Sequence, residues 1–182
     1  MISSTAQSAF RIRRTRTTEA DKLPEIEKSA AQAFESIPAL SWIADEPPMS
    51  AEVHRRSIQA GTCWVAVDTG KEDAPVGFLT ASVENGDIHI AEMSVAADWQ
   101  GQGIGSALIQ TLKQWSFQNK LSRITLTTFL DVPWNAPFYL REGFVIVPED
   151  ALDTRLAALL EAELRHGFSR NSRCVMRFEI NR

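Results

Sequence analysis

The sequence has few residues of the kinds that hold metals or form disulfides, and it has no long apolar run. Among its 182 residues are two cysteines, Cys63 and Cys174, and three histidines that stand far apart. Neither Cys-x-x-Cys nor His-Glu-x-x-His spacing occurs, so no metal is expected. The absence of a stretch of roughly eighteen apolar residues argues against a membrane-spanning helix.

The first residues also lack the pattern of a signal peptide. The stretch MISSTAQSAF has no charged start followed by an apolar run. We therefore expect residues 1–8 to form a loose terminus and the protein to be cytoplasmic. In a reducing cytosol the two cysteines, which lie in apolar strand-like runs, are expected to be buried free thiols.

Length and composition indicate one globular domain, over residues 9–182. Hydrophobic residues make up 44% and charged residues 23% of the chain, as in ordinary globular proteins. The net charge of −4 argues against nucleic acid as a partner. The basic stretch RIRRTR is explained better as an edge strand than as a nucleic-acid contact, because Ile12 alternates with charged residues.

Hydrophobic periodicity predicts an α/β protein, with a mixed sheet and helices on both faces. The helix over 104–119 separates two strands, which are therefore expected to pair in parallel, whereas Asn85-Gly86 predicts an antiparallel hairpin. Strands are predicted at 10–16, 63–68, 76–84, 88–95, 124–129, 144–147 and 173–180. Helices are predicted at 18–34, 50–61, 104–119, 135–142 and 152–165.

One turn carries the clearest chemical signal. Gly101, Gly103 and Gly105 stand before the helix in ADWQGQGIGSALIQ, and the backbone amides of such a turn bind phosphates. A Walker loop needs a lysine where Ser106 follows the last glycine. A dinucleotide-binding turn needs its glycines directly after a strand and a glycine or alanine at the place of Ser106. A pyrophosphate held by backbone amides alone, or a plain structural turn, remains.

Two segments together resemble the signatures of the GNAT N-acetyltransferase superfamily. The stretch VAADWQGQGIGSAL is similar to its acetyl-CoA loop, Gln/Arg-x-x-Gly-x-Gly/Ala after a strand that ends in valine. The stretch NAPFYLREGF, residues 135–144, is similar to its second signature. The resemblance implies the GNAT fold: a mixed sheet of six to seven strands, antiparallel in its N-terminal part, whose parallel pair splays at the cofactor site.

The same resemblance implies transfer of an acetyl group from acetyl-CoA to an amine. The backbone from Met93 to Val95 would pair with the pantetheine arm, and the loop amides would hold the pyrophosphate. Asn135 would bond to the pantetheine arm, with Phe138 packed against it. The implied cofactor contacts are Met93, Ser94, Val95, Gln100, Gly101, Gln102, Gly103, Ile104, Gly105, Ser106, Asn135, Phe138 and Tyr139.

The chemistry requires two proton transfers. An amine whose pKa is near 10 must lose a proton before it attacks, and the departing thiolate must gain one. Tyr139, the single tyrosine, holds the family's general-acid place. The base stays open between Glu92, His89 and a water relay, and a backbone amide near Met93 or Ser94 is expected to hold the oxyanion.

The acceptor is expected to be a small primary amine bound by Trp42, Phe129, Asp131 and Trp134. The acid would attract a cation, and the tryptophans would stack on it. A peptide acceptor is the first alternative. A catalytically degenerate acyl-CoA sensor, or an interaction domain that uses Trp42 and Pro47-Pro48, is the second. The apolar C-terminal strand suggests a homodimer.

Overall fold

The computed structural model describes residues 8–180. The predicted loose terminus therefore lies outside the described residues except for Ser8. The strands are β1 (Phe10–Arg14), β2 (Cys63–Asp68), β3 (Ala74–Glu84), β4 (Asp87–Val95), β5 (Arg123–Phe129), β6 (Val145–Val147) and β7 (Arg173–Glu179). The α-helices are α1 (Leu23–Ala31), α2 (Ala51–Gln59), α3 (Ile104–Gln118), α4 (Ala136–Arg141) and α5 (Thr154–His166).

The seven strands form one mixed sheet in the order β1-β2-β3-β4-β5-β7-β6, with helices on both faces. All seven predicted strands are confirmed. The predicted parallel pairing is confirmed as well, since β4 and β5 run in parallel with Ile88 opposite Ile124 and His89 opposite Thr125. The predicted hairpin turn has positive φ at both Asn85 and Gly86, as a two-residue turn of this kind requires.

Two helical segments differ from the prediction. The single helix expected over 18–34 is divided into a 3-10 helix (Thr17–Lys22), α1 and a second 3-10 helix (Gln32–Ser36). Pro24 explains the first boundary, because proline lacks an amide hydrogen and starts a helix more readily than it continues one. The segment around Trp42, for which neither a helix nor a strand is predicted, contains a short 3-10 helix, Ser41–Asp45.

The described chain forms two compact units. The first comprises the described residues up to Ser82 together with Glu92–Thr111. The second comprises Val83–Ala91 and the described residues from Leu112 onward. The prediction of a single domain over 9–182 stays a prediction. Among residues 8–180, no helix combines the length and the apolar content that crossing a membrane requires.

The core of the first unit lies between α1 and the strands β2 and β3. Its members are apolar and buried: Leu23, Ile26, Cys63, Val65, Val67 and Phe78. At the edge of the sheet, β1 carries the basic stretch, and its side chains are engaged by partners within this unit. Arg11 pairs with Asp73, and Arg13 donates to both oxygens of Glu19 at 2.6 and 2.9 Å. The edge-strand interpretation is thereby confirmed.

The core of the second unit includes the leucine-striped helix α5. Leu156 and Leu160 pack with Val147 of β6 and Val175 of β7. Strand β7 is paired on both sides, with β5 and with β6. Its apolar character is therefore explained by an interior place in the sheet, which removes the sequence argument for a homodimer. Both cysteines are buried free thiols, as predicted.

One glycine of β3 is required by close packing within the first unit. A Cβ at Gly77 would lie 3.1 Å from Cγ2 of Ile104, 3.3 Å from the carbonyl oxygen of Ser94 and 3.3 Å from Cγ2 of Val95. Two of these atoms belong to β-branched side chains and one to the backbone, so the neighbours have little freedom to move. The close approach of β3 to the end of β4 and the start of α3 depends on this glycine.

We expect Gly77→Ala to lower the free energy of unfolding by about 1–3 kcal/mol, as overpacking of a tight core does. Urea unfolding followed by circular dichroism measures the change. Ser82→Ala, at an exposed position of the same strand, is the matched control. Equal stability of Gly77→Ala and the unmodified protein would contradict the packing argument.

Candidate active site

The residues predicted for the site are divided between the two units. The first unit contains Trp42, Glu92, Met93, Ser94, Val95 and the loop from Gln100 to Ser106. The second unit contains His89, Phe129, Asp131, Trp134, Asn135, Phe138 and Tyr139. Each unit therefore carries its own set of candidate groups.

In the first unit, the glycine turn links β4 to α3. Gly101 and Gly103 have φ values of +74° and +85°, a region that favours glycine. A Cβ at either position would meet no described atom within 4 Å, so backbone conformation and not crowding requires these glycines. The side-chain amide of Gln100 donates to the backbone carbonyl of Val95 at 3.0 Å. The side-chain amide of Gln102 donates to the backbone carbonyl of Asp98 at 3.2 Å. Both glutamines therefore hold the loop in place.

The loop leads directly into the 15-residue helix α3. The amide of Ala107 donates to the carbonyl of Gly103 at 3.0 Å, which is the start of the helical hydrogen-bond pattern. The first amides of a helix have no acceptor within the helix, and the helix dipole places a partial positive charge there. Because Ile104 is buried and anchors this end, the turn presents backbone donors in a fixed position. Such a turn suits a phosphate group.

Glu27 of α1 is a functional candidate that the sequence reasoning missed. Its two carboxylate oxygens accept from the backbone amide of Met49 at 3.0 and 3.1 Å. Burial, and then the negative charge of Glu92, raise the pKa of Glu27 to about 8, against the lowering effect of the Met49 amide. The sequence did contain a signal for the burial of Glu27, because this residue follows Leu23 by one helical turn and therefore lies on the apolar face of the helix.

Glu92 lies on β4 next to a buried hydroxyl. The Oγ of Ser94 donates to Oε1 of Glu92 at 2.8 Å, and Ser94 is only 7% exposed. Residues two apart on a strand face the same side of a sheet, which brings the side chains of Glu92 and Ser94 together. The negative charge of Glu92 on β4 is thus, after burial, the second cause of the raised pKa of Glu27 on α1.

In the second unit, Asn135 precedes α4 with its side-chain amide held in one orientation. The Oγ1 of Thr128 donates to Oδ1 of Asn135 at 2.7 Å. Nδ2 of Asn135 is buried and has no hydrogen-bond partner within the described residues. A buried donor without a partner is costly, so this amide is suited to a ligand oxygen. The sequence reasoning missed Thr128. The available signal was its position, since Thr128 is a polar residue on the same face of β5 as the buried Ile124 and Leu126.

Tyr139 lies on α4 and is 7% exposed. Its ring packs edge-on against Phe138, with centroids 5.1 Å apart, and against Phe144, with centroids 5.5 Å apart. Aromatic neighbours on two sides restrict the ring, so the position of the hydroxyl group is well defined.

His89 lies at the start of β4, where Nδ1 is 3.0 Å from Oγ1 of Thr125. Burial, and then the positive charge of Arg155, lower the pKa of His89 to about 4, although the negative charge of Glu163 opposes the change. The same threonine hydroxyl accepts from Arg155 at 3.3 Å. At neutral pH the imidazole is therefore uncharged, and its affinity for a proton is low.

The predicted acceptor residues differ in exposure. Phe129 is 5% exposed, and its ring packs edge-on against Phe168 and beneath the guanidinium of Arg173 at 4.3 Å. Trp134, in contrast, is 42% exposed, and Asp131 is exposed as well. Trp42 of the first unit is half-buried. Among residues 8–180 there is no group of three or more His, Cys, Asp or Glu side chains arranged to hold a metal ion.

The structure thus combines a mixed sheet that contains a parallel pair, a glycine turn before the crossover helix and an asparagine before a short helix. The model of the acetyltransferase (GNAT) family matches residues 24–144 of this sequence. The chain belongs to that family, and it is an acyltransferase that uses an acyl-CoA as donor.

Solved structures show the same fold over almost the whole chain. Rv2747 of Mycobacterium tuberculosis, in complex with CoA, is similar with a TM-score of 0.66 and 16% identity, over 94% of this chain and 99% of that one. The ribosomal-protein-S18-alanine N-acetyltransferase of Escherichia coli is similar with a TM-score of 0.64 and 18% identity, over 95% of each chain. The PaiA N-acetyltransferase of Thermoplasma acidophilum, in complex with coenzyme A, is similar with a TM-score of 0.65 and 14% identity, over 93% of this chain and 98% of that one.

The raised pKa of Glu27 predicts a stability change with a defined sign. The folded protein holds this proton up to about pH 8, whereas the unfolded chain releases it near the ordinary value of 4.5. The stability from this group is therefore present below pH 4.5 and lost as the pH rises through 8. We expect Glu27→Gln, whose amide oxygen still accepts from Met49, to be more stable above pH 8 by about 1–3 kcal/mol, allowing for solvent screening.

Urea unfolding at pH 5 and pH 8.5 measures this effect. Glu25→Gln, at an exposed position of the same helix, is the control and should change stability by less than about 0.5 kcal/mol at both pH values. A stabilisation by Glu27→Gln that is equal at the two pH values would contradict the raised pKa.

Proposed function

We propose that the protein transfers an acetyl group from acetyl-CoA to a small primary amine, by direct attack in a ternary complex. The observation that carries the proposal is the pair of preformed donor sets, the glycine turn at the start of α3 and the orphaned side-chain amide of Asn135. The resemblance to the family, which implies that both sets contact the acyl-CoA donor, supports this proposal. We propose a small amine rather than a peptide as the acceptor. Asp131 and Trp134 are both exposed, so the carboxylate can attract a cationic amine and the indole ring can stack on it.

The donor is bound mainly by neutral groups. The backbone amides from Gly101 to Ser106 hold the pyrophosphate, with Gln100, Gln102 and Ile104 fixing the loop around it. The backbone of Met93, Ser94 and Val95 pairs with the pantetheine arm. The Nδ2 amide of Asn135 donates to a carbonyl oxygen of the same arm, which gives the buried donor the partner it lacks.

The reaction needs a base for the ammonium group of the acceptor. Glu92 takes the proton, and the resulting amine nitrogen attacks the thioester carbon. The hydrogen bond from Ser94 supports this role because it holds the carboxylate in a defined orientation. His89 is the weaker candidate, since its pKa of about 4 makes it a poor proton acceptor and Thr125 occupies its Nδ1 atom.

The tetrahedral intermediate then collapses with release of the thiol. The C–S bond breaks, the sulfur takes the hydroxyl proton of Tyr139, and the tyrosinate regains a proton from the acylated nitrogen, which leaves a neutral amide. A backbone amide near Met93 or Ser94 stabilises the oxyanion meanwhile. The packing of Tyr139 between Phe138 and Phe144 supports a role that depends on an exact hydroxyl position.

A thiol-release assay with acetyl-CoA tests the function. The panel contains aliphatic monoamines, polyamines, amino acids, aminoglycosides and short peptides with free amino termini. Turnover of small amines with at least a hundredfold preference in kcat/KM over peptides is expected. Turnover of peptides alone would favour protein acetylation, and calorimetry that detects no acetyl-CoA binding would overturn the enzymatic function.

Thr128→Val tests the orientation of the Asn135 amide. The substitution keeps the shape of the side chain but removes the hydroxyl that donates to Oδ1. We expect the Kd of CoA to rise roughly two- to tenfold, the value of one hydrogen bond. Calorimetry measures it, and Thr111→Val, which removes a bond from Oγ1 to the carbonyl of Ala107 within α3, is the control. An unchanged Kd would contradict the role of Thr128.

Tyr139→Phe tests the general acid. The ring contacts survive, so we expect CoA to bind with unchanged affinity while kcat falls by about 10²–10⁴. Steady-state kinetics together with calorimetry separate the two quantities. Phe138→Leu, which alters packing but removes no hydroxyl, is the comparison. Undiminished kcat in Tyr139→Phe would show that another group protonates the sulfur.

A further inference from the structure

Helix α4 ends in a Schellman motif that includes Tyr139. Gly143 follows the helix with a φ of +84°, and its amide donates to the carbonyl of Leu140 at 3.0 Å. The amide of Phe144 donates to the carbonyl of Tyr139, also at 3.0 Å. In this motif the residue after the glycine frequently packs against the residue whose carbonyl it binds, and here the ring centroids of Phe144 and Tyr139 are 5.5 Å apart. The end of the helix therefore determines where the ring of Tyr139 lies.

Helix α4 is short, so both of its ends need support from outside. It has six residues, and a helix of that length is not stable without tertiary contacts. At the N-terminal end, the Oγ1 of Thr128 donates to Oδ1 of Asn135 at 2.7 Å. At the C-terminal end, the Nζ of Lys113 on α3 donates to the backbone carbonyl of Glu142. Carbonyl groups at a helix end lack partners within the helix and carry partial negative charge, so an ammonium group suits this position.

The same ammonium group lies on a series of aromatic rings that leads to Tyr139. The Nζ of Lys113 is 4.2 Å from the centroid of the Phe178 ring, within the range of a cation–π contact. The Phe178 ring lies 5.6 Å from that of Phe144, which is fully buried and in turn contacts Tyr139. Phe178 is held in β7, where it lies opposite Ile124 of β5. Two phenylalanine rings thus support Tyr139, and Lys113 contacts the outer one.

We propose that Lys113 is a positioning residue for acyl transfer, which holds the hydroxyl group of Tyr139 at the place from which it protonates the leaving sulfur. This rests on the function proposed above, in which Tyr139 is the general acid. Lys113 acts at two points, the carbonyl of Glu142 and the ring of Phe178, and both are connected to Tyr139 through Phe144. Because proton transfer needs a donor and an acceptor about 3 Å apart, a small rotation of α4 would slow it.

The role of Lys113 is expected to be selective for the chemical step. Asn135, which we propose as a ligand of the pantetheine arm, lies at the opposite end of α4 and is held by Thr128 of β5. Loss of the Lys113 contacts releases the C-terminal end of the helix and leaves the bond between Thr128 and Asn135 in place. Removal of the ammonium group should therefore lower kcat more than it weakens the binding of CoA.

Steady-state kinetics and calorimetry on the full chain provide the first test. We expect Lys113→Met, which keeps the apolar length of the side chain, to lower kcat about tenfold to a hundredfold, as loss of a hydrogen bond from a charged group does. The Kd of CoA should change by less than about twofold. Lys113→Arg keeps the charge, and guanidinium groups also stack on aromatic rings, so its kcat should stay within about threefold of the unmodified protein. Gln114→Met, at an exposed neighbouring position of α3, is the matched control and should change neither quantity.

The second test observes the ring of Tyr139 directly and needs no ligand. Tyr139 is the single tyrosine of the chain, so protein labelled with carbon-13 in its tyrosine ring gives the NMR signals of one residue. The edge-on rings of Phe138 and Phe144 displace these signals, because an aromatic ring alters the magnetic field around it. We expect Lys113→Met to move the signals toward their values in the unfolded chain and to raise the ring-flip rate. Lys113→Arg and Gln114→Met should retain both.

Phe178→Leu keeps the proposal testable if Lys113→Met does not fold. This substitution removes the ring between Lys113 and Phe144, so it should lower kcat and move the Tyr139 signals in the same direction. Unchanged kcat in Lys113→Met, or in Phe178→Leu if the first variant does not fold, would overturn the proposal. A lower kcat with unmoved Tyr139 signals would overturn it as well, because Lys113 would then act without positioning the ring.

A Lys113→Arg variant as slow as Lys113→Met would also count against the proposal, since the charge and the ring contact would then be insufficient. The two tests distinguish this proposal from the function on which it rests. If no amine releases CoA while the NMR signals show that Lys113→Met releases the ring, the proposed function has failed and the role of Lys113 in transfer fails with it. If the unmodified protein transfers acetyl groups and Lys113→Met is equally fast, only the role of Lys113 is refuted.

Discussion

Parallel pairing of β4 with β5 is the constraint on which the rest of the structure depends. Two consecutive strands can run in parallel only if the chain crosses back between them, and α3 provides that crossing. The chain must then turn from the end of β4 into the helix within a few residues. Gly101 and Gly103 allow that turn through their positive φ values. The glycine turn that we propose as the phosphate site is thus a by-product of the crossover connection.

The candidate groups in the two units have a common character. Each is a polar group held by a neighbour that is itself well packed: Gln100 by the carbonyl of Val95, Asn135 by Thr128, and Glu92 by Ser94. Such supporting bonds fix the orientation of a functional group before any ligand arrives. The loop from Gln100 to Ser106 contains no lysine, so the attraction for phosphate that we propose for it would come from oriented backbone dipoles.

Periodicity was sufficient to predict the strands, because buried and exposed faces leave a clear trace in alternating residues. Periodicity failed at Pro24. The helical spacing of apolar residues continues through this position, but the α-helix does not, because proline starts a helix more readily than it continues one. The glycine turn and Asn135 could be predicted because local motifs encode them. Glu27 could not, since its raised pKa depends on burial first and then on the charge of Glu92, which is distant in the sequence. Thr128 was missed because its hydrogen bond to Asn135 is visible only in the fold.

The two edges of the sheet have a consequence for how the protein behaves at high concentration. An unpaired strand edge is a template for the addition of another chain. At one edge, β1 carries arginines that are bound to Asp73 and Glu19, and charge there opposes a second strand. At the other edge, β6 has only three residues, and its exposed Val145 and Ile146 offer a short template. Self-association through the sheet is therefore confined to that short edge, where only a few backbone hydrogen bonds could form to stabilise it.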